Sequence, residues 1–199
     1  MKPSVILPLA LFVLSALPLT AEGAGGVEFT QVVGQDLWGL PGRSSLPAVT
    51  GQITGIGGFG YGVMEDGSVI GGFGMGITSH NLDLAEGPGG TPVRGFHAGY
   101  GGMLGGWQHR WGPLVGLVTT KLGFGGADWS SVEGVRSEGS HAGFSMLGMA
   151  EAQIGVLVFR WFNLGLKAGV AGTLTIVPGE PFLIGYAPTI GLRLSWGSF

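Results

Sequence analysis

The 199-residue chain contains no cysteine. That removes disulfide frameworks, cysteine-ligated metal centres and the lipid attachment that a bacterial lipoprotein needs at its cleavage site. Charge is scarce too: Asp, Glu, Lys and Arg make up 11% of the residues and the formal net charge is −3, so there is no basic surface for nucleic acid. Proline is modest at 11 residues and the Gly-X-Y period is missing, so the 43 glycines do not make a collagen. A hydrophobic content of 45% is too high for a disordered chain. Past the N-terminus, glycine and polar residues interrupt every apolar run before it reaches the roughly 20 residues of a transmembrane helix.

The N-terminus itself sets the compartment. Lys2 supplies a positive charge, residues 5–19 form an apolar run broken only by Pro8, Ser15 and Pro18, and Leu19-Thr20-Ala21 ends on a small residue. This is the pattern of a cleaved secretory signal over residues 1–21, with residues 22–199 as the mature protein. The two prolines leave too little uninterrupted length for a membrane anchor.

What is abundant is alternation. In GGFGYGVMEDGSVIGGFGMG, residues 57–76, two glycine-rich hexapeptides flank Glu65-Asp66-Gly67. A three-residue hairpin loop favours glycine at its last position, where the backbone turns left-handed. Pairing Met64 with Ser68 then sets Phe59 opposite Phe73 and Tyr61 opposite Gly71. Period-two alternation recurs in segments containing Phe96, Ala98, Tyr100 and Leu104; Leu114, Val118, Leu122 and Phe124; Phe144, Met146 and Ile154; Leu166 and Val170; and Ile184, Tyr186, Leu192 and Leu194. Their other face is glycine and small polar residues, unlike the charged surface of a soluble sandwich. An inverted sheet accounts for it: the apolar face meets hydrocarbon, and the small face lines the lumen of a closed barrel. On this reading Phe59 and Phe73 contact lipid, and Gly58, Gly60, Gly72, Gly74 and Gly99 look inward. Met103, Leu147 and Met149 look inward as well.

Connections alternate between short (65–67, 108–111, 160–163) and long (79–91, 126–140), as periplasmic turns and external loops do. An outward-running first strand is then required, and residues 27–37 are the candidate, giving eight strands. Residues 22–48 form either that strand plus an external loop or a plug inside the lumen. Trp107, Trp111, Trp161 and Trp196 fall beside proposed periplasmic ends, where an aromatic girdle belongs. With its signal peptide, eight alternating segments and terminal Phe199, the chain resembles the small bacterial outer-membrane β-barrels, OmpA-type transmembrane domains and OmpX. The resemblance implies an all-β, antiparallel up-and-down transmembrane barrel with a glycine-lined lumen, residence in a Gram-negative type outer membrane, and recognition of the C-terminal strand by the barrel-assembly machinery. Barrels of this class end on an aromatic residue in phase with the outward positions, whereas Phe199 is one residue out of phase with Leu192, Leu194 and Trp196.

Chemistry-bearing residues are few. Lys121, Glu151, Lys167 and Arg193, with His97 and His141, fall on the face assigned to the lumen and are expected to form a polar network there, with ligand or ion contact as its functional alternative. Lys121 and Glu151 lie on adjacent strands at similar heights and suggest an ion pair. The four histidines have no ligand spacing, so no metal or cofactor is expected. His141, Ser145 and Glu151 share a face, but a strand rise of about 3.3 Å separates them by roughly 13 and 20 Å, which rules out a nucleophilic set. The expectation is a non-enzymatic, monomeric outer-membrane barrel with a structural or interaction role, surrounded by outer-membrane lipid. Binding or passage of a small apolar molecule through the lumen is the alternative, followed by a lipid-modifying enzyme and by a secreted, soluble glycine-rich β-protein.

Overall fold

A computed structural model describes residues 22–33, 52–80, 93–131, 141–179 and 182–199. The proposed signal and the segment 34–51 lie outside the described residues. Eight strands follow one another: β1 (Gly23–Val32), β2 (Gln52–Val63), β3 (Ser68–His80), β4 (Val93–Trp111), β5 (Leu114–Ser131), β6 (His141–Phe159), β7 (Phe162–Ile176) and β8 (Leu183–Gly197). Each pairs antiparallel with its sequence neighbour, and β1 pairs with β8 from Ala24↔Gly197 to Val32↔Thr189, so the sheet closes on itself. Closure leaves no free sheet edge. Residues 23–32 therefore stand in the wall, hydrogen-bonded on both sides.

Turn chemistry sets the registers. Gly67 takes φ +84° in the β2–β3 turn, the Met64 N–H donates to the Ser68 carbonyl at 2.8 Å, and Phe59 faces Phe73 across the ladder. The Ser68 hydroxyl and N–H both donate to one Asp66 carboxylate oxygen, which holds that carboxyl below its usual range. Gly112, at φ +61°, permits a two-residue turn that pairs Trp111 with Leu114, tighter than the 108–111 loop expected from sequence.

The face assignment divides the barrel in two. On β5 to β8 the outer face carries the apolar residues expected there: Leu122, Phe124, Phe144, Ile154, Leu166, Ile184 and Tyr186 are all at least half exposed. On β2 to β4 the expectation is reversed. Phe59, Tyr61, Phe73, Met75, Phe96, Tyr100 and Leu104 are buried inside, while Gly58, Gly60, Gly72, Gly74 and Gly99 are exposed outside with Ile56, Ile70 and Met103. The run of inward glycines expected on β2 to β4 is thus absent, although Gly55, Gly57, Gly71 and Gly102 do share the inward parity of the rings there.

The physical reason is volume. An eight-stranded ring has an interior that side chains must fill, and here the rings of one half fill the space left by the glycines of the other. A Cβ built on Gly123 would stand 2.8 Å from the Phe73 ring. One built on Gly191 would stand 2.9 Å from the Lys167 side chain. By contrast, nothing lies within 4 Å of a Cβ at Gly60, Gly62 or Gly99. Leu147 and Met149 face inward as expected, and Met103, at 66% exposure, does not.

Two glycine substitutions should separate these faces in reversible unfolding from lipid vesicles. Gly60→Ala should change stability by less than about 1 kcal/mol, since the methyl meets open space. Gly123→Ala should cost about 1–3 kcal/mol by overpacking against Phe73. Equal effects would contradict the inward placement of the β3 rings. Ile154→Arg, on the outer face, should cost about 2–4 kcal/mol.

Candidate functional site in the barrel lumen

Four charged side chains from four strands meet inside the barrel. Glu28 follows the alternation of β1, between the outward Val27 and Phe29, and so points inward. Lys121, Glu151 and Lys167 occupy the equivalent parity on β5, β6 and β7. Lys121 Nζ lies 2.5 Å from Glu28 Oε1 and 2.7 Å from Glu151 Oε2. Lys167 Nζ lies 3.0 Å from Glu28 Oε2 and 2.7 Å from Glu151 Oε1. The charges alternate around a closed ring in which each ammonium touches both carboxylates. The Lys121–Glu151 contact falls outside hydrogen-bond geometry and is ionic; the other three are hydrogen bonds as well. All four side chains are at most 3% exposed.

Burying four charges is costly, and only near-complete mutual pairing offsets it. Two lysines against two glutamates make the ring neutral. Arg193 is the fifth buried charge among the described residues. It lies opposite Glu28 in the β1–β8 ladder, but its guanidinium carbon sits 3.5 Å over the Phe59 ring and 5.4 Å from Tyr61. Nε and Nη2 have no hydrogen-bond acceptor among the described residues, so stacking on an aromatic face takes the place of a carboxylate. The inward rings of β2 therefore have an electrostatic use as well as a volume.

Hydroxyls and amides occupy the rest of the lumen. Tyr61 Oη donates to Gln108 Oε1 at 2.9 Å, and Ser145 Oγ lies 2.9 Å from Tyr100 Oη and 2.7 Å from Thr175 Oγ1. Ser145 thus has hydroxyl partners and, among the described residues, no imidazole or carboxylate to activate it. Among the described residues, no group of three or more His, Cys, Asp or Glu side chains could hold a metal ion.

Of the residues singled out in the sequence, Lys121, Glu151, Lys167 and Arg193 come together. His97 does not join them: it is exposed on the outer face of β4, because the parity of that strand is the reverse of the one expected. His141 begins β6, and its side chain lies outside the described residues. Glu28 and the Phe59–Tyr61 pair were missed. Alternation alone places Glu28 inside, but its partners Lys121 and Lys167 are 93 and 139 residues away and only barrel closure brings them near. Trp107, Trp111, Trp161 and Trp196 are all exposed near the turn end. His109 stands between Trp107 and Trp111, with centroids 5.4 and 4.6 Å away, and Trp107 Nε1 donates to the Asp66 carbonyl at 2.8 Å.

No family model and no curated protein sequence matches the chain. Solved structures do. Neisserial surface protein A superposes with a TM-score of 0.52 at 10% identity, covering 87% of this chain and 92% of that one. The attachment invasion locus protein Ail of Yersinia pestis gives 0.47 at 9% identity, covering 90% and 99%. The same protein in complex with the heparin analogue sucrose octasulfate gives 0.46 at 11% identity, covering 90% and 97%. The two Ail superpositions fall below 0.5 and add nothing to the assignment. The fold is that of the small eight-stranded outer-membrane β-barrels.

Removing one member of the ring should be far more damaging than removing a neutral pair. Lys121→Gln leaves two carboxylates facing one ammonium and should cost about 3–5 kcal/mol, whereas Glu28→Gln combined with Lys121→Gln should recover much of that loss. Chemical denaturation of the refolded barrel, read as a double-mutant cycle, measures the difference. Additive single effects would show that the ring carries no coupling.

Proposed function

We propose that the protein is a non-enzymatic integral barrel of the outer membrane with a structural or interaction role in the cell envelope. The observation that carries this reading is the filled lumen: a neutral, fully paired ring of charges with aromatic rings packed beside it. A chain built for passage keeps a continuous polar path, and a chain built for catalysis keeps a nucleophile within reach of a base; the described interior supports neither. The alternative, binding of a small apolar molecule, rested chiefly on glycines of β2 to β4, and Gly58, Gly60, Gly72, Gly74 and Gly99 face outward, which leaves only Gly143, Leu147 and Met149 of its lining inside. Outer-membrane lipid is the medium of the exposed Leu, Ile, Phe and Trp side chains, and β8, with outward Leu192, Leu194 and Trp196, is the segment offered to the assembly machinery.

Two measurements test the reading. The outer-membrane fraction should contain the protein as a band whose gel migration shifts on heating, and recovery only as a soluble periplasmic protein without that shift would end the proposal. In planar bilayers the purified protein should show no stable, large conductance. A persistent open channel would instead make Lys121, Glu151, Lys167 and Arg193 selectivity residues.

A further inference from the structure

The rim of the barrel at the short-turn end is notched. β5 begins at Leu114, opposite Val156, yet β6 runs on to Phe159. The last bond from β6 toward that side is from Leu157 N–H to the Pro113 carbonyl, at 2.8 Å. Beyond it, the ladder to β7 shifts register between Leu157 and Phe159, and the β6–β7 hairpin projects past the β4–β5 turn. The step leaves a cleft of about 620 Å³ lined by Arg110, Pro113, Leu157, Phe159, Arg160 and Trp161.

Its lining combines two chemistries. Phe159 and Trp161 stack with centroids 5.6 Å apart and are 57% and 61% exposed, continuous with the outer faces of Val156 and Val158. Against this apolar wall stand two guanidinium groups. Arg110 is held by two main-chain oxygens, Nε donating to that of Gly112 in its own turn and Nη1 to that of Phe199 beyond β8, each at 2.8 Å, which leaves Nη2 to spare. Arg160 has no hydrogen bond or ion pair among the described residues. Lys121, Lys167 and Arg193 are buried in the lumen, whereas Arg110 and Arg160 are exposed and both line this notch.

We propose that the notch binds an anionic phospholipid of the surrounding leaflet, its phosphate held by Arg160 and the free edge of Arg110 and its acyl chains lying along Val156 and Val158. The guanidinium fork matches phosphate geometry and charge. Indole rings such as Trp111 and Trp161 fix that height at the headgroup level of a bilayer, so the cationic and apolar parts of the cleft meet the corresponding parts of the lipid. The site rests on the membrane reading, and acyl chains in the lipid phase favour a phospholipid over a soluble phosphate ester.

Native mass spectrometry of the refolded barrel, released from micelles holding equal phosphatidylglycerol and phosphatidylcholine, tests the site. The expected result is retention of one phosphatidylglycerol at collision energies that strip phosphatidylcholine. Arg160→Gln should reduce that retention about tenfold, the loss of a charge-assisted hydrogen bond, while Arg160→Lys should retain an intermediate share. Equal retention of the two lipids, or an unchanged preference in Arg160→Gln, overturns the proposal. Displacement by millimolar inorganic phosphate would show a phosphate site and overturn the lipid as occupant. Heat-modifiable migration recorded on each sample separates failure of the site from failure of the barrel.

Discussion

Closing eight strands into a ring determines how much space the wall encloses, and the side chains must fill that space from within. Each inward side chain is therefore matched to one across the lumen or on a neighbouring strand, not to its own sequence neighbours. Phe73 reaches over Gly123, Lys167 crosses Gly191, and Gln153 and Asn163 occupy the room that Gly165 and Gly155 leave. Large residues on every inward position would overfill the ring, and glycine on every one would leave voids that cost stability. The chain settles this by dividing the labour, with the rings on β2 to β4 and mostly small, polar or charged residues, beside a few aliphatic ones such as Leu147, on β5 to β8. Outward glycine on β2 to β4 is sterically optional, as the open space around Gly60 and Gly99 shows.

The charged ring belongs to the same constraint. Its members come from β1, β5, β6 and β7, so it ties the first strand to the far side of the barrel across the lumen. Ladder hydrogen bonds join only adjacent strands, and the ring adds contacts through the middle. Arg193 extends it by a different route, placing a cation on the face of Phe59 where no carboxylate is left for it.

Local signals in the sequence were reliable where they act locally. Gly67 and the near-mirror symmetry around it gave the β2–β3 register residue for residue, including Phe59↔Phe73. The face of those strands was misread because contrast between rings and glycine says that two sides differ, not which one meets lipid. Charge carries that information. Lys121 must face inward, the Trp111–Leu114 turn pairs it with Leu104, and alternation then turns Tyr100 and Phe96 inward and His97 outward. The inference was within reach from Lys121 alone, since a turn of two residues or of four pairs it with an even-numbered residue of β4. Glu28 was harder, because nothing near it in sequence calls for a partner and the residues that neutralise it meet it only when β1 closes on β8.

The wall is also uneven in height. β1 has 10 residues and β4 and β6 have 19. At a rise of about 3.3 Å and a tilt of about 40°, 10 residues climb about 25 Å, the thickness of the apolar band such barrels present. Nineteen residues climb about 48 Å, far more than the same band can cover. Trp111 and Trp161 moor the turn end at the interface; β4 runs four residues past its pair with Ser68 toward that end, and the rest of the surplus of β4 to β6 rises at the opposite end. The paired outer ends of β4, β5 and β6 therefore stand as a hydrogen-bonded parapet above the hydrocarbon. A macromolecule approaching on that side would meet rigid paired sheet before it met lipid.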